Sequence, residues 1–323
     1  MPCALVTGGS GFVGRHLVPF LRTQGFRVAV LGREIQPPNE SVDSYQCDIR
    51  DAACVDSVVR EVRPDWVFHL AAISALAAAA SDPQLTYEIN VGGARHLFSA
   101  VKALSGKTRV LNVSTSQVYA PGEKALTESS VTEPKGPYAT SKAMAEAIAA
   151  QYEGIITVRP FNHTGPGQSD KFVLSSIAKQ FAEIQSHRKP PTLSLGNLQV
   201  RRDFTDVRDV IRAYWLLLDK GKPGETYNVC SGSAPSIYEL IEIFQQITGV
   251  AVDIESSPAK IRPGEAMLLQ GDASRIFHDT GWKPEIDLGT TLNDLLEYWR
   301  SELNKEPAKA SAHYEPVHTV NSR

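Results

Sequence analysis

The stretch that decides the fold is Ala4-Leu5-Val6 followed by Thr7-Gly8-Gly9-Ser10-Gly11-Phe12-Val13-Gly14, close to the start of the 323-residue chain. The apolar run predicts a buried strand, and residues 14–24 fit a helix. Glycines at such a junction let the backbone approach a pyrophosphate at the helix N-terminus. The loop therefore predicts dinucleotide binding, although an unliganded tight turn would use the same glycines. The predicted contacts are Gly8, Gly11, Phe12, Val13 and Gly14.

Apolar runs recur along the first half of the chain and alternate with helical patterns such as 89–104 and 138–152. This alternation predicts an α/β fold with a Rossmann-like, doubly wound parallel sheet. The further predicted strands are 27–31, 66–70, 109–113 and 155–159, with 227–229 as a late addition.

The rhythm changes after about residue 161, where proline and glycine become more frequent. Two further helices are predicted there, at 207–218 and 236–248, and they indicate a smaller mixed α/β C-terminal lobe that binds substrate. The predicted domains are 1–161 plus about 204–231 for the dinucleotide, about 162–203 plus 232–303 for the substrate lobe, and 304–323 as a disordered tail.

The composition is that of an ordinary enzyme, with 42% hydrophobic residues and a formal net charge of −3. This slight acidity disfavours a nucleic acid or a membrane surface as the main partner. No run approaches the ~20 apolar residues of a membrane span, and a basic leader is missing at the start, so a cytoplasmic location is expected. Buried free thiols and no metal site are expected, because the cysteines lack CxxC spacing; they are Cys3, Cys47, Cys54 and Cys230.

The end of the second predicted strand carries Gly32-Arg33, where a carboxylate would otherwise accept a hydrogen bond from the adenosine ribose. An arginine at this position suits a 2′-phosphate, which favours NADP(H) and leaves NAD(H) possible. Arg33 could instead be a solvated loop charge.

Tyr138 and Lys142 are four residues apart and therefore share one face of a predicted helix. A neighbouring ammonium is expected to lower the pKa of the phenol, which would make Tyr138 an acid/base group at neutral pH. An aromatic residue and a lysine on a surface helix would give the same spacing.

Three further segments carry a resemblance to a known family: Asp48-Ile49-Arg50-Asp51, residues 65–72 and residues 112–119. With the glycine loop and the Tyr138/Lys142 pair they resemble the extended short-chain dehydrogenase/reductases, the NAD-dependent epimerase/dehydratase family, which act on nucleotide sugars. By that resemblance Asp48 and Ile49 flank the adenine, and Asn90 supports the active site. Leu70, Ala71 and Ala72 would line the cofactor's pyrophosphate and ribose.

The resemblance also implies a catalytic triad of Thr115, Tyr138 and Lys142, with Ser116 and Gln117 as further substrate contacts. Related 4,6-dehydratases carry a glutamate base where this chain has Gln117. An amide cannot take up a proton at neutral pH, so dehydration by that route is disfavoured. Gln117 could simply hydrogen-bond substrate.

The second half resembles the bacterial GDP-6-deoxy-D-mannose reductases at 159–168, 196–209, 227–232, 262–265 and 281–284. Arginine suits a diphosphate because its fork binds phosphate oxygens bidentately. The resemblance thus implies a GDP-sugar substrate held by Asn162, Arg202, Arg262 and Glu265, although the arginines could belong to surface ion pairs.

The reaction implied is NADPH-dependent reduction of GDP-4-keto-6-deoxy-D-mannose to GDP-D-rhamnose, in nucleotide-sugar biosynthesis for surface polysaccharide. A homodimer formed through helices 89–104 and 138–152 is implied as well, although amphipathic helices would show the same pattern in a monomer core. The alternatives are a 4-epimerase or dehydratase of the same family, and a non-enzymatic NADP-binding sensor, against which the triad counts.

Overall fold

The computed structural model describes residues 1–34, 42–104, 107–257 and 266–305. Its strands, in chain order, are β1 (Cys3–Thr7), β2 (Arg27–Gly32), β3 (Val42–Gln46), β4 (Trp66–His69), β5 (Arg109–Val113), β6 (Ile155–Pro160), β7 (Asn162–Thr164), β8 (Thr192–Leu195), β9 (Arg201–Arg202), β10 (Phe204–Asp206), β11 (Thr226–Val229), β12 (Asp253–Ser256) and β13 (Leu268–Leu269).

Helices separate most of these strands, and a turn of π-helix at Glu88–Gly92 and a turn of 3-10 helix at Ser116–Val118 interrupt the pattern. The α-helices are α1 (Phe12–Thr23), α2 (Ala52–Val62), α3 (Leu76–Ser81), α4 (Pro83–Tyr87), α5 (Gly93–Lys102), α6 (Gly136–Ala149), α7 (Val173–Gln185), α8 (Val207–Lys220), α9 (Ile237–Thr248), α10 (Ser274–Thr280) and α11 (Leu288–Lys305).

A seven-stranded sheet with the order β3-β2-β1-β4-β5-β6-β11 forms the centre of the molecule. All its strand pairs are parallel, which confirms the predicted doubly wound sheet. The chain leaves β1 towards β2 on one side and returns at β4 on the other. Parallel sheets of this kind bind ligands at such a reversal, beyond the carboxyl ends of the strands.

Helices cover both faces of the sheet, as a parallel sheet requires. On one face α1 and α8 bury Leu17, Tyr214 and Leu217 against the strands. On the other face α2, α5 and α6 contribute a second core that includes Val59 and Leu97. The carboxyl ends of β1, β4 and β5 are thereby held rigidly at one edge.

The C-terminal lobe has its own core, built by α7, α9 and α11 beside the two-stranded pair β8/β12. Two more parallel pairs, β7/β10 and β9/β13, belong to this half of the chain. The helices predicted at 207–218 and 236–248 are present as α8 and α9, but α7 and α11 were not predicted. Domain boundaries stay a prediction.

Two details differ from the sequence-based expectations. The last helix continues to Lys305, so residues 304 and 305 are helical, and the remaining tail lies outside the described residues. The sulfur atoms of Cys47 and Cys54 are bonded, whereas Cys3 and Cys230 are free and buried. The expectation of four free thiols is therefore wrong for Cys47 and Cys54. These two residues meet because the end of β3 folds back against the first turn of α2.

Within the described part of the chain, no helix combines the length and apolar character needed to cross a bilayer.

Candidate active site

The glycine loop is built for close contact at two positions. Gly8 has φ +72°, and a Cβ there would lie 2.9 Å from the backbone nitrogen of Ala71. A Cβ at Gly14 would lie 2.6 Å from the carbonyl oxygen of Gly8. The loop can therefore pack against the end of β4 and the start of α1 only without side chains. Gly11 is the N-cap of α1, and Phe12 and Val13 form its first turn.

The segment after β4 is fixed to the end of β1 by Thr7. The hydroxyl of Thr7 accepts a hydrogen bond from the Ala71 nitrogen at 3.1 Å and lies 2.9 Å from Nδ1 of His69. Burial, assisted by the charge of Lys142, lowers the pKa of His69 to about 3. The imidazole is therefore neutral, and it contacts Thr7, which holds Ala71 beside the glycine loop. The neighbouring Leu70 and Ala72 are half-buried in the same segment.

The ends of β2 and β3 carry the residues predicted for the adenosine half of the cofactor. Arg33 is exposed directly after β2, and its carbonyl accepts a hydrogen bond from Gln46 at 3.2 Å. Hydrogen bonds from Arg50 hold the pKa of Asp48 below its usual range, and the charge of Arg33 adds to that effect. Ile49 is buried, 6% exposed. These side chains thus follow neighbouring strands at one edge of the sheet.

The three predicted catalytic residues come from the end of β5 and the start of α6. Thr115 is buried just beyond β5, and Tyr138 and Lys142 lie one helical turn apart on α6. Lys142 donates a hydrogen bond to the carbonyl of Val113 at 2.8 Å. Burial lowers the pKa of Lys142 to about 8, opposed by the charge of Glu146.

The electrostatics of Tyr138 differ from the expectation. Burial raises the pKa of the phenol, and the hydrogen bond with Thr115 opposes the rise. The predicted lowering by Lys142 is therefore wrong, because loss of solvent penalises the phenolate and the ammonium is directed at Val113. A phenol with a raised pKa remains protonated at neutral pH, which is the form required of a proton donor.

Asn90 links this site to the loop after β4. Its amide oxygen accepts from the Ile73 nitrogen at 2.8 Å, and its amide nitrogen donates to the hydroxyl of Ser141 at 2.9 Å. Ser141 in turn donates to the carbonyl of Tyr138 at 2.8 Å. The π-helical turn carries Asn90 inward, where it is 1% exposed. Sequence reasoning singled out Asn90 but missed Ser141, whose position directly before Lys142 was the available signal.

Gln117 and Ser116 lie in the short 3-10 helix that follows Thr115. The backbone nitrogen of Gln117 donates to the hydroxyl of Thr115 at 3.2 Å. Ser116 is buried and Gln117 half-buried. All three residues therefore lie at the carboxyl end of β5, next to Tyr138.

A buried ion pair stands one turn beyond Lys142 and was not predicted. Arg159 donates to both carboxylate oxygens of Glu146, at 2.9 and 2.6 Å. The two side chains are only 10% and 15% exposed, and the guanidinium lies 4.8 Å from the ring centre of Tyr119. Nothing in the spacing of residues 146 and 159 could have indicated this long-range pair.

Two of the four substrate contacts predicted in the second half of the chain, Asn162 and Arg202, lie among the described residues. Asn162 is the first residue of β7 and pairs with Phe204 of β10, and Arg202 is buried in β9, donating to the carbonyl of Arg201 at 2.9 Å. Arg262 and Glu265 lie outside the described residues.

Two further contacts connect the lobe to the dinucleotide-binding half. The ring of His163 stacks on Phe12 with centroids 6.2 Å apart, and Nε2 of His16 lies 2.9 Å from the Pro166 carbonyl.

Asp203 accepts hydrogen bonds from three backbone nitrogens, those of Ser231, Gly232 and Gly271. The motif around residue 203 is thus partly structural.

The arrangement is that of a dinucleotide-binding oxidoreductase with a Tyr/Lys/Thr site. Comparison with known proteins agrees. The GDP-mannose 4,6-dehydratase family model matches residues 5–295. The GDP-6-deoxy-D-mannose reductase of Pseudomonas aeruginosa is 37% identical over 309 residues, covering 93% of this chain and 98% of the relative.

Solved structures agree in fold. The structure of RMD from Pseudomonas aeruginosa complexed with NADPH superimposes with a TM-score of 0.83 at 36% identity, covering 94% of this chain and 100% of the other. The Thermus thermophilus UDP-glucose 4-epimerase, in complex with NAD, has a TM-score of 0.79 at 28% identity, covering 92% and 99%.

The chain belongs to the GDP-mannose 4,6-dehydratase family of extended short-chain dehydrogenase/reductases. It is therefore an NAD(P)-dependent enzyme that modifies nucleotide sugars.

Proposed function

We propose that this enzyme reduces the 4-keto group of GDP-4-keto-6-deoxy-D-mannose to give GDP-D-rhamnose, with NADPH as the reductant. When bound, the reduced nicotinamide supplies a hydride to C4. Tyr138 donates its phenolic proton to the oxygen that becomes the hydroxyl group. The overall similarity to the Pseudomonas reductase supports this choice of substrate.

The observation that carries the proposal is the position of Tyr138 beside Thr115, one helical turn before Lys142. The phenol is protonated at neutral pH, so it can donate to a carbonyl oxygen as negative charge develops there. The hydroxyl of Thr115 is a second donor within the same cluster. Fixed donors of this kind stabilise the charge without reorganisation.

Lys142 would hold the nicotinamide ribose in this proposal. Its ammonium is held by the Val113 carbonyl at 2.8 Å and would bind the nicotinamide ribose from that position. A pKa of about 8 keeps the group largely charged at neutral pH.

The cofactor preference rests on Arg33. The exposed guanidinium directly follows β2, where the 2′-position of the adenosine ribose would lie. Gly8, Gly11, Phe12, Val13 and Gly14 would hold the pyrophosphate, with Asp48 and Ile49 at the adenine and Leu70 to Ala72 beside the ribose. Replacing Arg33 with Ala should raise the KM for NADPH and leave the KM for NADH unchanged. If the variant and the unmodified enzyme had the same KM for NADPH, the assignment would be refuted.

The GDP-sugar would be held by Ser116, Gln117, Asn162, Arg202, Arg262 and Glu265. Gln117 supports reduction over dehydration, because its amide cannot act as the base that removes a proton beside the keto group. The helices that the sequence suggests for homodimer formation are α5 and α6.

The deciding experiment supplies GDP-4-keto-6-deoxymannose with NADPH or NADH, follows nicotinamide absorbance and determines the C4 configuration of the product by NMR. Stoichiometric conversion to GDP-D-rhamnose is expected. A product with the opposite C4 configuration would refute the stereochemical part. NAD released in stoichiometric amount from the denatured enzyme, with no net oxidation of NADPH, would instead identify a 4-epimerase.

Matched variants complete the test. Tyr138→Phe removes the proton donor and keeps the ring, and Gln117→Glu restores the carboxylate of the dehydratases. If the unmodified enzyme converted GDP-mannose to its 4-keto-6-deoxy product, the argument from Gln117 would be wrong.

A further inference from the structure

Two cysteines bracket the segment that would contact the adenine. Cys47 directly follows β3, and Cys54 is the third residue of α2. Their sulfur atoms are bonded, and their Cα atoms are 6.0 Å apart, inside the range of native disulfides. Cys47 is 4% exposed, and Cys54 is half-buried. Cys54 is therefore the thiol that a reagent from solution reaches first.

The enclosed segment, residues 48–51, is anchored in the core by Ile49, whereas its polar side chains make exposed contacts. Arg50 pairs with Asp48 at 2.7 Å and with Glu88 at 3.4 Å, and its side chain is 43% exposed. Ion pairs with such exposed side chains contribute little to the stability of the folded state. The carbonyl of Ile49 lies 3.1 Å from Nδ1 of His96, and Asp51 caps α2.

An open cavity lies against this segment. It has a volume of about 500 Å³ and is lined by Asp48, Arg50, Asp51, Glu88, Gly92 and His96. A covalent bond between residues 47 and 54 therefore fixes the backbone beside a space where a ligand can bind.

We propose that Cys47 and Cys54 form a reversible redox pair that controls the affinity of the enzyme for its dinucleotide. This proposal rests on the proposed function, which assigns the adenine contacts to Asp48 and Ile49. The closed pair holds both residues in place for the cofactor, so less conformational entropy is lost on binding. Opening the pair removes the covalent restraint on Asp48 and leaves its exposed ion pair with Arg50, and affinity falls.

The chemistry is thiol–disulfide exchange with a low-molecular-weight disulfide such as oxidised glutathione. The Cys54 thiolate attacks one sulfur of the reagent and releases one thiol. Cys47 then attacks the sulfur of Cys54, the mixed disulfide breaks, and the second thiol leaves. Two protein thiols are thus oxidised, and one disulfide is reduced to two thiols. Excess reductant reverses both steps.

The test measures thiol state and cofactor affinity separately. The folded enzyme is equilibrated in glutathione buffers of graded potential, alkylated and digested, and the 47–54 link is quantified by mass spectrometry. NADPH affinity is then measured by fluorescence titration without sugar substrate. We expect a reversible link and a Kd that is roughly 3- to 10-fold higher in the reduced enzyme, the effect of ordering one or two side chains.

Variants provide the controls. Cys54→Ser should abolish the redox dependence and keep the reduced-state Kd, and Cys47→Ser should do the same if it folds. Cys3→Ala removes an unpaired buried thiol and should keep the full dependence.

Two results would overturn the redox pair: stable glutathione adducts on Cys54 without the link, or a link that leaves the Kd unchanged. Failure of the keto-sugar reduction alone, with a redox-dependent Kd intact, would count against the proposed function and not against the pair.

Discussion

Two glycines of the same loop should fail in different ways when replaced by alanine. A methyl group at Gly14 would lie 2.6 Å from the Gly8 carbonyl oxygen and equally close to two backbone atoms of Gly9. A methyl group at Gly11 meets a single atom, the Gly8 oxygen, at 3.2 Å. Gly11 also has φ −71°, which any residue adopts.

The magnitudes follow from these contacts. Backbone atoms cannot rotate away, so Gly14→Ala must shift the start of α1 and should cost about 1–3 kcal/mol in the free energy of unfolding, the usual effect of overpacking. Gly11→Ala should cost less than about 1 kcal/mol, because a displacement of a few tenths of an ångström relieves its contact. It should nevertheless raise the NADPH Kd at least about 10-fold, since the methyl group would occupy the approach of the pyrophosphate.

Urea unfolding followed by circular dichroism gives the first quantity, and fluorescence titration with NADPH gives the second. If Gly11→Ala were stable and bound NADPH normally, the loop would not be the pyrophosphate site. If Gly14→Ala were as stable as the unmodified enzyme, the packing argument would fail.

Three further variants and conditions test the site. Tyr138→Phe should lower the turnover number at least ~100-fold while the NADPH Kd stays within about 2-fold, because only the proton donor is lost; near-normal turnover would exclude that role. Turnover in ketone reduction should fall as the pH rises above about 8, where Lys142 loses the proton that it holds at lower pH, and Lys142→Met should remove this limb of the profile. Arg159→Ala should lower the free energy of unfolding by about 3–5 kcal/mol, because the buried carboxylate of Glu146 is left without its partner, and a double variant with Glu146→Gln should recover part of the loss.

The order of elements in the first half could be predicted from the sequence because the signals are local. Five predicted strands and the late addition at 227–229 lie in the observed sheet, since buried parallel strands are continuous apolar runs. β3 was missed because Val42-Asp-Ser-Tyr-Gln is polar at most positions. It is a strand because β2 offers a parallel partner, with Val28 opposite Val42.

The predicted helix at 89–104 illustrates a different limit. The helical periodicity is present in the sequence, but the observed helix begins with a π-helical turn. This turn places Asn90 in hydrogen-bonding contact with Ser141 and Ile73. Such a bulge is stabilised by partners far away in the chain, and periodicity contains no information about them. Similarly, the stack of His163 on Phe12 joins residues about 150 positions apart.

The sequence by itself determined six of the seven sheet strands, the glycine loop and the placement of Tyr138 and Lys142 on one helix face, because strand, turn and helix propensities act within a few residues. Only the tertiary structure decided the upward direction of the Tyr138 pKa shift, the direction of the Lys142 amine and the pairing of Cys47 with Cys54. Burial and contact depend on which distant segments exclude water from a group, and the pKa of the phenol is raised for that reason.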